Sequence, residues 1–224
     1  MKKYAQLIVT IINFLVLGAL IALLTPSIVP IHFNITGQAD SWSSKWVYLI
    51  FAFIPLLLEI IYQIYRARVK TDSEHNRPYE RLVATVIEFI FIFIDWGLII
   101  LVNLGTTHVS EGALALITSL ILGATLVIMC NIYGKIKQNR YFGVRTKETL
   151  ANEQIWNLTN RMAGYIGFAA GIALIIWSLL NYFLHIASPT VSLFITMGTV
   201  IVFAAIAPYF IARYYSNKLR GDAR

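Results

Sequence analysis

The chain has 224 residues, is 58% hydrophobic and only 13% charged, and carries 18 Lys+Arg against 11 Asp+Glu. Ordinary soluble domains are nearer half apolar and a quarter charged, so this composition excludes a single water-soluble core and points to spans in lipid. One cysteine, Cys130, excludes an internal disulfide or a Cys-cluster metal site, and the basic excess comes without the polybasic tail or aromatic-basic ladder of a nucleic-acid binder.

Lys2 and Lys3 precede an apolar run over 4–24. A cleaved signal has a shorter apolar core and ends in small residues, whereas this run ends in Leu-Leu-Thr-Pro, so it reads as an uncleaved first span. Further runs occupy 46–65, 82–104, 112–133, 162–184 and 191–212. Each is about 20 residues or slightly more, enough to cross ~30 Å of hydrocarbon at ~1.5 Å per residue. Backbone groups in lipid need internal partners, and the alternating pattern of barrel strands is absent, so the spans are helices. The expected fold is an all-α polytopic membrane protein, a six-helix transmembrane bundle. An N-terminal three-span region, 1–105, carries a loop at 25–45, and a C-terminal three-span region, 106–224, carries a loop at 134–161. All of the Lys and Arg residues except Lys45 fall at the termini or in the 66–81 and 134–161 loops. Positive residues stay inside, which places both termini in the cytoplasm and the 25–45 loop outside. Asp72, Glu74, Glu80, Glu148, Glu153 and Asp222 lie on the same face and leave it net positive. Such a face suits anionic lipid headgroups or an acidic partner protein.

In the external loop Pro26 and Pro30 stiffen the chain and favour extended backbone before them. Gly37 and Asp40 are turn residues, and Trp42 and Trp46 suit the headgroup level. Asn34-Ile35-Thr36 matches a glycosylation acceptor, which has meaning only in a secretory context. His32, with His108 and His185, offers a weak metal-site pattern. Loop histidines at an interface account for the same residues, and no metal site is assigned.

Three carboxylates fall inside spans: Glu59, Glu88 and Asp95. Glu59 and Glu88 lie at similar depth on neighbouring helices of one hairpin, and Glu88 and Asp95, two turns apart, share a face. Such groups are costly in lipid and face the bundle interior. A proton or cation path would use this row. Alternatively, the two glutamates reach inward to Arg66, Arg68 or Arg81. Asp95 is expected to be buried. In the fifth span Gly164, Gly167 and Gly171 share a face and permit close helix approach.

The longest polar interval runs from 135 to 161. Gln138 to Gly143 reads as a turn, with Gly143 at positive φ. Asn152 is a candidate N-cap, with Glu153 favourably placed in the first turn. Ile155, Leu158, Met162 and Ile166 form one apolar stripe leading into the fifth span. Trp156 is expected at the membrane surface, while Asn157, Asn160 and Arg161 lie off the stripe and can bond other loops. The segment reads either as an amphipathic lead-in on the headgroups or as a partner-docking surface.

Two stretches resemble the SdpI-like family of bacterial integral membrane proteins, a family of SDP-type peptide-toxin immunity proteins. The first comprises Pro30, His32, Asn34, Gly37, Asp40, Trp42 and Lys45, similar to the family's external-loop pattern. The second, more specific, comprises Asn139, Phe142, Gly143, Arg145, Thr146, Thr149, Asn152, Glu153, Trp156 and Arg161. The chain departs from the family at Cys130-Asn131 in place of Gly-Asn, at Thr146-Lys147-Glu148-Thr149 in place of Thr-Pro-Trp-Thr, and at Asn160 in place of a frequent His. The resemblance implies immunity to a secreted peptide toxin that collapses the proton gradient. It also implies signalling by holding a cytoplasmic repressor at the membrane. The 29–45 loop would face the toxin and the 139–161 loop would report occupancy. The alternative is a small proton- or ion-coupled transporter or channel using Glu59, Glu88 and Asp95. No P-loop, HExxH or GxSxG pattern and no nucleophile–base pair is visible, so no enzyme, catalytic residue or cofactor is expected.

Overall fold

A computed structural model of the chain describes residues 4–68 and 74–221. Lys2, Lys3, Lys70, Asp72, Asp222 and Arg224, which enter the charge reading above, lie outside the described residues. Among the described residues six helical segments are long and apolar enough to cross a membrane: Ala5–Leu23, Val47–Arg68, Glu74–Asn103, Glu111–Tyr133, Glu153–Leu184 and Pro189–Gly221. The chain is an all-α, multi-span membrane protein with six candidate spans, consistent with a plasma membrane. Several helices outrun their apolar cores. The third begins at Arg77 and the fifth at Glu153, because a helix entering water keeps its own hydrogen bonds and loses little by continuing.

The contacts divide the chain into two compact units, Met1–Lys70 with Arg81–Glu111 and Thr71–Glu80 with Gly112–Arg224. In the first, α1 (Ala5–Leu23) leads through an antiparallel hairpin, β1 (Ile28–Phe33) and β2 (Ala39–Ser44), into α2 (Val47–Arg68). The greater part of α3 (Arg77–Asn103) completes the unit. Leu17 and Ile21 of α1, Val29 of β1, Tyr48 and Ala52 of α2, and Ile99 and Val102 of α3 form its buried apolar cluster. The Lys45 ammonium donates to the carbonyls of Ala22 (2.8 Å) and Thr25 (3.2 Å). A cation thus closes the C-terminal end of α1, where carbonyls lack helical partners.

The second unit contains a 3-10 turn at Glu74–Asn76, α4 (Glu111–Tyr133), α5 (Lys147–Ala151), α6 (Glu153–Leu184), α7 (Pro189–Ile201) and α8 (Ala207–Gly221). A π-helical turn, Val202–Ile206, joins α7 to α8, and the Ala207 N–H reaches back to the Val202 carbonyl. Pro208 explains it. A proline ring clashes with the carbonyl four residues earlier, here Ala204, and a wider turn relieves the contact.

The small residues of α6 allow the close helix approach that their spacing predicts. Its glycines do meet α4: a Cβ at Gly164 would sit 2.8 Å from the Cys130 carbonyl oxygen, one at Gly171 2.9 Å from that of Gly123, and one at Gly167 would strike the Cys130 sulfur. The apolar stripe is not the buried face, however. Ile155 is buried, but Leu158 and Ile166 are half-buried and Met162 is exposed, whereas Thr159, Asn160, Ala163, Gly164, Gly167, Ala170 and Gly171 are buried. Lipid solvates large apolar side chains as well as a protein core does, so the small and polar residues take the helix–helix contacts.

Candidate functional site

Three polar constructions stand out against this apolar frame. The first is the hairpin of the first unit. Asn34 builds its turn: its side-chain oxygen accepts from the backbone N–H of Thr36 and of Gln38 (both 3.0 Å) and from the Thr36 hydroxyl (2.6 Å). Gly37 supplies φ +76°, in the left-handed region that glycine enters without a steric cost. Asp40 is not a turn residue. It lies in β2, and its carboxylate meets His32 Nδ1 at 2.6 Å. Pairing across the strands, which spacing alone does not reveal, brings it there. Pro30 stands opposite Trp42, and register irregularities flank His32. The Tyr48 hydroxyl donates to the Pro30 carbonyl at 2.5 Å, tying the hairpin to α2. Trp42 and Trp46 are exposed. His108 bridges to Gln38, and His185 terminates α6 in a left-handed conformation. Among the described residues no group of three His, Cys, Asp or Glu side chains could hold a metal ion.

The second construction lies within the spans of the first unit. Glu59 and Glu88 are both fully buried. Arg81 Nη1 donates to Glu59 at 2.6 Å, and its other terminal nitrogen stands 3.8 Å from Glu88. Gln63 donates to Glu59 at 2.7 Å and Gln6 to Glu88 at 2.9 Å. The guanidinium stacks over the Tyr62 ring, 4.8 Å from its centroid. Of the three arginines named from the sequence, Arg81 thus joins both carboxylates. Asp95 is 5% exposed and lines a small cavity with Tyr48 and Leu17, and its Oδ2 has no hydrogen-bond partner among the described residues. At the next position in sequence, Trp96 donates to Asn13 at 2.8 Å. Gln6, Asn13 and Gln63 are uncharged, so a reading of intramembrane charge does not find them. Amides inside an apolar run are the signal that marks them.

The third construction is the polar interval of the second unit, a built platform. Asn76 clamps Lys137 from both sides, donating to its carbonyl and accepting from its N–H, each at 2.9 Å. Asn139 donates to the Lys137 carbonyl and accepts from the N–H groups of Tyr141 and Phe142 (2.8 and 2.9 Å), folding the turn before Gly143. Gly143 takes φ +104°, and a Cβ there would lie 3.0 Å from both the Asn160 side-chain oxygen and the Trp156 ring. The Asn160 oxygen accepts from the Val144 N–H at 2.8 Å. Thr146 and Thr149 cap α5 reciprocally, and the Thr149 hydroxyl also donates to the Val144 carbonyl at 2.8 Å. The Thr146 cap extends to Glu148: the residue's own N–H and the Thr146 hydroxyl hold its carboxyl below the usual carboxylate range. Asn152 caps α6 by accepting from Gln154 and Ile155, with Glu153 in the first turn.

Trp156 is not at the membrane surface. It is 0% exposed, and its indole N–H donates to the Ile136 carbonyl at 2.8 Å. The platform provides a polar partner for the nitrogen and a dry seat for the ring, which removes the reason for an interfacial position. Asn160 bonds the loop, as its place off the stripe predicts, whereas Arg161 turns to Tyr165 (3.2 Å) and Arg145 to the Arg140 carbonyl (2.7 Å). Asn76 was missed because the 66–81 segment read only as a charged loop. Gly143→Ala should destabilise the protein by about 1–3 kcal/mol, read as a lowered thermal midpoint in detergent; an unchanged midpoint would show that the loop tolerates a side chain at this φ.

Residues 135–211 match the model of the SdpI/YfhL protein family, and residues 8–57 match a domain of unknown function, DUF1648. No curated protein and no solved structure matches the chain. The first match begins at the platform and runs through α5, α6, α7 and the start of α8. The second covers most of α1, the hairpin and the first half of α2. The chain is thus similar to that membrane family over part of its length.

Proposed function

We propose that the chain is a membrane immunity protein of the SdpI type. The match of residues 135–211 to that family carries the reading. It begins at the hydrogen-bonded polar platform of the second unit and continues through the helices that follow. In this reading both termini and the platform face the cytoplasm, since nearly all Lys and Arg residues lie on that side. The hairpin, with Pro30, His32, Asn34, Gly37, Asp40, Trp42 and Lys45, faces outward and meets a secreted amphipathic peptide toxin. Asn139, Phe142, Gly143, Arg145, Thr146, Thr149, Asn152, Glu153, Trp156 and Arg161 form or support the inner surface. That surface reports occupancy to a cytoplasmic repressor. No chemistry on a substrate is involved, and no cofactor is required. A toxin shifts such a protein between states only as far as it binds one state better than the other.

Expression in a bacterium sensitive to an SDP-type peptide toxin tests this. Survival under challenge should rise at least about tenfold, a shift on the order of 1.4 kcal/mol in any toxin-binding equilibrium it reflects. Killing equal to that of vector-only cells, with the protein present in the membrane, counts against immunity. A second reading, a proton- or ion-coupled transporter, draws on the buried Glu59–Arg81–Glu88 group and on Asp95. Purified protein in liposomes should then carry a proton flux that Asp95→Asn abolishes; a flux unchanged by that substitution removes Asp95 from any path.

A further inference from the structure

Two hollows adjoin on the surface of α6. One is a cleft of about 470 Å³ between the end of α4 and the third to fifth turns of α6, bounded by Asn131, Lys135, Arg161, Tyr165 and Phe168. The other is a groove of about 820 Å³ along the next face of α6, against α7 and the π-helical turn, bounded by Ala169, Ala173, Ile195 and Phe203. Tyr165 borders both. The two differ in chemistry. The cleft has two cations contributed by separate segments, and neither Lys135 nor Arg161 makes an ion pair among the described residues. The groove is apolar and lies wholly along spanning helices. Lys135 follows the last residue of α4 by two positions, and Arg161 immediately precedes the apolar run of α6. Both charges therefore sit at the depth where a span meets water, the depth of lipid phosphates. Basic pockets between spans at this depth select acidic headgroups.

We propose that this composite hollow is a binding site for one anionic glycerophospholipid. Its phosphate lies between Lys135 and Arg161, and one acyl chain passes Tyr165 into the groove beside Ala169 and Ala173. Charge complementarity selects the headgroup, and the adjoining groove selects a lipid over a free anion. The small side chains at Ala169 and Ala173 leave the volume a chain needs. The inference rests only on the protein's residence in a membrane, so it and the immunity reading fail or hold separately.

The test uses the full chain, purified in detergent, stripped of lipid and titrated with defined lipids under native mass spectrometry. Long-chain phosphatidylglycerol should bind one per chain, with phosphatidylcholine of the same acyl chains markedly weaker. Lys135→Gln and Arg161→Gln should each weaken phosphatidylglycerol about fivefold, and Lys218→Gln, on the exposed part of α8, should leave it unchanged. Ala173→Phe should weaken the long-chain lipid while sparing dihexanoyl phosphatidylglycerol, and millimolar inorganic phosphate should not displace the long-chain lipid. Equal binding of the two headgroups, equal losses in the Lys135 and Lys218 variants, insensitivity to Ala173→Phe, or displacement by phosphate alone would each overturn the assignment.

Discussion

Arg81→Leu should destabilise the protein by about 3 kcal/mol or more, the usual cost of removing one partner from a buried ion pair. Glu59 and Glu88 have no other cation within ion-pair reach among the described residues. The substitution leaves two buried carboxyl groups with only Gln63 and Gln6 as donors. The loss is larger than for a surface pair, worth about 0–1 kcal/mol, because neither carboxylate can turn to water. Arg81→Lys should restore part of it, since an ammonium is a single point charge and cannot span two acceptors as a fork does. Adding Glu59→Gln to Arg81→Leu should recover part of the stability relative to Arg81→Leu alone, because one of the two buried carboxylates left without a cation is gone. Thermal midpoints of the single and double variants in detergent measure this. A change within about 0.5 kcal/mol, the range of ordinary surface substitutions, would mean that Arg81 does not hold the group together.

Trp156→Ala should cost about 3–5 kcal/mol, the range for a buried large aromatic. The ring is the largest fully buried side chain among the described residues. It seats Gly143 on one edge and bonds the Ile136 carbonyl with its nitrogen, so its removal unsupports the turn and the end of α4 together. Trp156→Phe keeps most of the volume and loses the hydrogen bond, leaving a buried carbonyl unpaired at about 1–3 kcal/mol. The order wild type, Phe, Ala in thermal midpoint is the expected result. Equal midpoints for the Phe variant and wild type would show that the indole bond contributes nothing. Immunity should fall in the same order if the platform transmits the signal, and should stay intact if the platform only folds the chain.

The six spans were legible because their signal is one of length and composition, which neighbours cannot alter. The Asn152 cap and the positive φ of Gly143 were legible for a similar reason: each is a local backbone requirement met by one residue type. What failed depended on partners distant in sequence. Asp40 read as a turn residue, and only strand pairing places it against His32. Trp156 read as interfacial because tryptophan usually is. A carbonyl twenty residues earlier and the absent side chain of Gly143 give it a seat inside. Met162 read as part of an apolar stripe leading into the fifth span, and that stripe does not mark the buried face, because the inward rule for apolar faces is drawn from water. Lipid removes that rule, and the glycines and Asn160 go inward instead. The burial of Glu59 and Glu88 followed from cost alone, but the choice of Arg81 over Arg66 and Arg68 needed the helix geometry.

Cysteine labelling of intact cells decides whether the hairpin and the platform face opposite sides of the membrane. In a Cys130→Ser background, which removes the single buried thiol, a membrane-impermeant maleimide should label Gln38→Cys in intact cells. It should reach Lys147→Cys only after the membrane is opened. Labelling of the position-147 variant in intact cells, with the position-38 variant protected until lysis, would contradict the orientation on which outside sensing and inside reporting depend.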